Sequence, residues 1–172
     1  MTRAVSLRRP HPALILAAML ASATPAAAAE RGSVLARALS CQIADGELAK
    51  LMDTLAREDT GMKTPTQSLA APSGALYRLA SPVSALGYSA TEIYVSPSRI
   101  AMVVSGQPLA SVSARLKLEP EPYGPAARPI DDTHKVIAYE LHQSPLAGKV
   151  LVGCEYGNPD AQTWLAPDMS GF

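Results

Sequence analysis

Leu48, Leu51, Met52 and Leu55 fall three, four and seven residues apart with Ala56 beside them, which draws one apolar stripe along a helix. Asp45 is placed to cap that helix and Gly61 to end it. Upstream, "SVLARALSCQI" repeats Val34, Leu35, Ala38 and Leu39 at the same helical spacing. The Asp45-Gly46 pair kinks or separates the two segments, so Cys41 stands where the chain enters the main helix.

From Ala75 the period shortens to two. "ALYRLASPVSALGY" and "TEIYV" set β-branched and aromatic residues between Pro, Ser and Gly, the pattern of short strands. Pro82 marks the first as an edge or bent strand. "SPSR", residues 96–99, reads as a turn joining "TEIYV" to "IAMVV". "SGQPLASVSARLKL" returns to helical spacing, with Pro108 in the first turn and Leu109, Val112 and Leu116 on one face. "EPEPYGPAARPIDD", residues 119–132, is too rich in proline to enter a sheet and is expected to be a long, extended, exposed loop. After it "HKVIAYEL" and "KVLVGCEY" alternate on either side of "HQSPLAG", the strongest hairpin signal in the chain. Val150, Val152, Cys154 and Tyr156 share the face turned to the core.

This order lacks a regular strand-helix-strand alternation and predicts one α+β domain over residues 30–157. Its expected architecture is a mainly antiparallel sheet of four to five strands with two helices on one face. The tail, residues 158–172, shows no clear periodicity and is expected to be partly disordered. No internal repeat is visible.

Residues 1–29 have the three parts of a secretory signal: Arg3, Arg8 and Arg9, then an apolar run from Ala13, then an alanine-rich stretch ending at Ala29. Ser22, Thr24 and Pro25 break the run short of the ~20 apolar residues of a membrane span, so cleavage before Glu30 is expected, with no stable membrane anchor. Cys41 lies too far downstream to carry a lipid. The "PHP" after Arg8-Arg9 does not suit a twin-arginine signal. A periplasmic or secreted protein of a bacterial envelope is the expectation. The chain has 15 basic and 15 acidic residues, but the signal holds three of the basic ones and none of the acidic, leaving the remainder mildly acidic. With no Lys/Arg cluster in that remainder, binding to nucleic acid or anionic lipid is disfavoured.

In an oxidising compartment the two cysteines, Cys41 and Cys154, are expected to form one structural disulfide. Redox pairs usually need C-x-x-C spacing, and a metal site needs more than two sulfurs. Elsewhere the chemistry is sparse. There is no G-x-S-x-G elbow, Gly-rich phosphate loop, H-E-x-x-H or EF-hand loop, so neither metal nor cofactor is expected. His134 and His142 would lie roughly 27 Å apart at ~3.4 Å per residue along a strand, too far to share a metal. Asp131, Asp132 and His134 form a conceivable metal or acid-base group, though a junction of ordinary surface polar residues is the favoured reading.

The proline-rich loop displays Tyr123 among Glu119, Glu121 and Arg128. A stiff segment carrying an aromatic loses little entropy on docking, which suits recognition of a partner protein. Trp164 is either a partner anchor or a tail residue folded back over the core. Tyr77, Tyr94, Tyr139 and Tyr156 lie in predicted strands and would make a carbohydrate-type face only if they share an exposed side. Tyr156 falls with Cys154 and counts against that. The sequence therefore favours a non-catalytic binding protein of the cell envelope: an inhibitor, an immunity-type protein or an accessory factor. The alternatives are a small secreted hydrolase at Asp131, Asp132 and His134, or a small-ligand carrier with a cavity between sheet and helices.

Overall fold

The apolar spacing after Ser33 builds two consecutive helices, α1 (residues 34–39) and α2 (Asp45–Arg57). The computed structural model describes residues 34–57, 60–70, 73–142 and 145–165, so the segment expected to be a signal and the end of the tail fall outside the described residues. The turn between the helices is a Schellman motif. The Gln42 N–H donates to the Arg37 carbonyl at 2.8 Å and the Cys41 N–H to the Ala38 carbonyl at 3.3 Å. Cys41 takes the left-handed position, φ 60°, that glycine usually fills. Ala44, rather than Asp45, is the N-cap of α2: the Ala44 N–H donates to the Glu47 carboxylate at 3.3 Å, half of a capping box. Asp45 opens the first turn and its side chain is used elsewhere.

Seven strands follow among the described residues: β1 (Gln67–Ala70), β2 (Ser73–Ala85), β3 (Tyr88–Ser96), β4 (Arg99–Ser105), β5 (Ala126–Pro129), β6 (His134–Glu140) and β7 (Lys149–Tyr156). They form one antiparallel sheet in the order β1-β2-β3-β4-β7-β6-β5. The fold is α+β as the pattern predicts, but the sheet is larger than four to five strands. Helix α3 (Leu109–Leu116) bridges β4 and β5, with Pro108 as its N-cap. A 3-10 helix (Pro159–Leu165) packs beside α2. No helix among the described residues is long and apolar enough to cross a membrane.

The two additional strands are the edges. β1 has only four residues, too few for an alternation to register. β5 lies inside the proline-rich segment expected to stay out of the sheet, and the geometry shows why it can enter. Ala127 exchanges both backbone hydrogen bonds with Glu119, on the outer side, at 2.8 Å each. The residues bonding inward to β6 are therefore Ala126 and Arg128, and Pro129 faces outward with its missing N–H, so no ladder bond is lost. Pro82 is absorbed similarly, at a register shift between Arg78 and Val83.

One face of the sheet packs against the helices. Leu39, Leu48, Leu55, Met62, Ile93, Ile100, Met102, Val152 and Tyr156 fill that layer, and Val112 reaches it from α3. Cys41 and Cys154 are joined in a disulfide across a sequence separation of 113, with Cα atoms 5.2 Å apart. The Tyr156 hydroxyl donates to the Ala38 carbonyl at 2.6 Å. The end of α1 is thus tied to β7 twice, once covalently and once by a buried hydrogen bond. Burial pushes the Tyr156 hydroxyl well above its ordinary pKa, against the opposing pull of the Ile43 backbone and Arg37, so it remains a donor at neutral pH.

Candidate functional site

On the sheet's other face the register arranges side chains in rows. Ser96, Arg99, Glu155 and Lys135 form one row; Tyr94, Ala101, Gly153 and Ile137 form the next. The centre of the second row therefore holds only a methyl group and a glycine. A Cβ at Gly153 would collide with the β4 backbone at Ile100 and Ala101, so the close approach of β4 and β7 demands glycine there. Above this low centre Arg99 and Tyr139 meet: the guanidinium lies 5.4 Å from the ring centroid while its Nε donates to Glu155 at 2.6 Å. Tyr94 lies over Gly74, where any side chain would run into its ring. Leu69, Leu76, Val103, Leu146 and Leu151 make a smaller apolar cluster around Tyr94 and Tyr139.

Beyond this row the tip of the 119–125 segment closes one side. The result is a cleft of about 310 Å³ between Tyr94, Ser96 and Arg99 on one wall, Tyr139 and Leu141 at the end of β6, and Tyr123 to Pro125 on the loop. Tyr123 is fully exposed, at 105 %, and the loop is anchored behind it. Lys135 Nζ donates to Glu121 at 2.9 Å, and the Arg128 Nε donates to the Leu116 carbonyl at the end of α3 at 3.1 Å. The bond to Glu121 raises the Lys135 pKa, so this strut stays charged at neutral pH. Burial raises the pKa of both Tyr94 and Tyr139 against the pull of Arg99 and of bonds to Ser96, so both hydroxyls stay protonated. Tyr77 and Tyr156, by contrast, belong to the helix-covered core. The four strand tyrosines divide two and two between the faces.

Of the loop and tail residues singled out for partner contact, Tyr123 is the one at the cleft. Glu121 and Arg128 brace its loop, and Glu119 pairs through its backbone with β5. Trp164 is 7 % exposed and packs edge-on against Tyr156 at 5.4 Å between centroids, folded over the core. Ser96, Arg99 and Leu141 were not singled out, and Tyr94 and Tyr139 entered only as two of four strand tyrosines; the signal that separates them lay in the phase of the alternation, which puts Tyr94 and Tyr139 opposite the valine and cysteine face.

Asp131 and His134 do come together. Both Asp131 carboxylate oxygens lie 2.7 to 2.8 Å from His134 Nδ1, and Asp131 Oδ1 also accepts the backbone N–H groups of Thr133 and His134. These bonds, the His134 side chain first, lower the Asp131 pKa to about 2. Asp132 is exposed and takes no part in these bonds. The imidazole is 7 % exposed, and its Nε2 faces Asp45 at 3.4 Å with no hydrogen-bond partner among the described residues. Its ring also stacks edge-on against Tyr156, 5.0 Å between centroids. An acid-base histidine must reach substrate; this one is enclosed between α2 and β7, where it ties the β5-β6 turn to the core. Among the described residues no group of three or more His, Cys, Asp or Glu is placed to hold a metal ion. The chain matches no family model, no curated protein and no solved structure, so the functional reading rests on this geometry.

Proposed function

We propose that the protein is a non-catalytic binding protein of the cell envelope, periplasmic or secreted, whose contact surface is the cleft between the sheet face opposite the helices and the tip of the 119–125 loop. One observation carries this reading: a fully exposed tyrosine, Tyr123, is held on a braced, proline-stiffened loop opposite a wall of tyrosine, serine and arginine. An aromatic kept in water at rest and presented rigidly is suited to burial on docking. The disulfide supports an oxidising compartment. The inhibitor, immunity-type and accessory roles share this surface and differ only in the partner.

Site-specific photocrosslinking in the native envelope tests the proposal. A photoreactive residue at position 123 should capture a defined partner, whereas one at Lys50, on α2, should not. Equal capture from both positions, or none from 123, overturns the assignment.

A further inference from the structure

Away from the cleft, each nitrogen of the enclosed His134 ring faces a carboxylate. Nδ1 lies 2.7 to 2.8 Å from the two oxygens of Asp131, in the β5-β6 turn, and 3.3 Å from the Thr133 hydroxyl. Nε2 lies 3.4 Å from Oδ1 of Asp45, in the first turn of α2, and makes no hydrogen bond among the described residues. From β7 the Tyr156 ring meets the imidazole edge-on with its own hydroxyl committed to Ala38, and Trp164 of the 3-10 helix backs that ring. The neighbouring cations are engaged elsewhere. Arg37, which acts on Tyr156 from α1, pairs with Glu47, and Lys135, next along β6, pairs with Glu121. Asp132 is exposed and outside these bonds.

A neutral imidazole has one N–H and one lone pair. The Asp131 carboxylate, ionised down to about pH 2, only accepts, so the single proton sits on Nδ1 and the lone pair of Nε2 faces Asp45. Two acceptors then stand opposite each other without a bond, at a separation longer than the roughly 2.7–2.9 Å of a charge-assisted N–H···O contact. A second proton turns this contact from repulsive to attractive. It arrives between two carboxylates, each of which offsets the cost of charging an enclosed ring. Asp45 is half-exposed at a helix end, so its side chain has room to close the gap. We infer that His134 is an acid-engaged latch: a proton taken from solvent onto Nε2 draws Asp45 into a hydrogen bond, so that one imidazolium fastens the first turn of α2 to the β5-β6 turn. Return of that proton to solvent releases Asp45 and leaves the bond to Asp131 in place. The latch stands independently of the cleft and its partner.

The test is an NMR titration of the isotopically labelled mature protein from about pH 8 to about pH 5, the range in which histidine ordinarily changes charge, reading ring nitrogens and backbone amides together. The exposed His142 is the solvated control. At the alkaline end the His134 ring should carry its proton on Nδ1, with Nε2 bare. As the pH falls, protonation of Nε2 should be matched, at the same midpoint, by movement of the Gly46, Glu47 and Leu48 amides. Asp45→Asn keeps the shape of the side chain and removes its charge. It should leave the alkaline tautomer unchanged, weaken the proton affinity of the ring by about threefold or more, and abolish the matched movement in α2. A bare Nδ1 at the alkaline end overturns the latch, as does a ring that takes up no second proton in this range. A wild-type ring that titrates while the α2 amides stay still overturns it too, as do α2 amides that follow the ring equally well in Asp45→Asn.

Discussion

The two faces of one sheet are built by the same alternation and reach opposite ends. On the helix-covered face β7 presents Val150, Val152, Cys154 and Tyr156, all buried, and the last two are fastened to α1. On the other face the same strand presents Leu151, Gly153 and Glu155, and the layer above them is an arginine, two tyrosines and a short loop. The first face is closed by covalent and apolar contacts. The second carries the smaller apolar cluster around Tyr94 and Tyr139, with charge pairs at its margins, among them Arg78–Glu92 at 2.7 Å and Lys149–Glu92 at 3.2 Å, and leaves a cleft. If the cleft is the contact surface proposed above, most of the stability and the recognition fall on different sides of one set of strands, and substitutions on the two sides should separate.

The largest effect should come from opening the staple. Cys41→Ala with Cys154→Ala should lower unfolding free energy by roughly 2–5 kcal/mol, read as the shift of a urea midpoint. Gly153→Ala attacks the line between the faces, where a Cβ meets the β4 backbone; a loss of roughly 2–4 kcal/mol is expected in the same assay. Tyr156→Phe keeps the ring in the core and removes only the hydroxyl bond to Ala38, for a loss of about 1 kcal/mol.

Asp131 sharpens the comparison through pH. Its folded pKa, about 2, is below the ordinary 3.8, so its carboxylate stabilises the fold at neutral pH and that contribution fades as the pH falls through this interval. Asp131→Asn should flatten the acid limb of a melting temperature against pH profile while leaving the neutral-to-alkaline limb parallel to wild type. The smallest effect on stability belongs to Tyr123→Ala, within about 0.5 kcal/mol, because the side chain touches little at rest.

Much of the helix-covered face was legible in the sequence, and the cleft was not, for a physical reason. A buried stripe repeats the same residue type at a fixed period, as Leu48, Leu51 and Leu55 do, and Val150, Val152 and Cys154 do. That repetition gave the main helix and the β6-β7 hairpin, while the Ser-Pro-Ser-Arg run gave the turn at Ser96 to Arg99 and the isolated pair of cysteines gave the disulfide. A cleft instead joins residues distant in sequence through register: Arg99 meets Tyr139 only because β7 lies between β4 and β6 and carries a glycine at the crossing. The edge strand β5 was hidden because composition records how many prolines a segment has, while pairing depends on which side each proline faces.

The central claim is that the two faces divide stability from binding. Measuring Tyr123→Ala and Tyr156→Phe side by side, each for urea midpoint and for capture of the crosslinked partner under native conditions, tests it most directly. The account predicts a crossed result: Tyr123→Ala keeps its midpoint and loses capture, and Tyr156→Phe loses midpoint and keeps capture. Capture and midpoint falling together in both variants, or capture persisting in Tyr123→Ala, would contradict it.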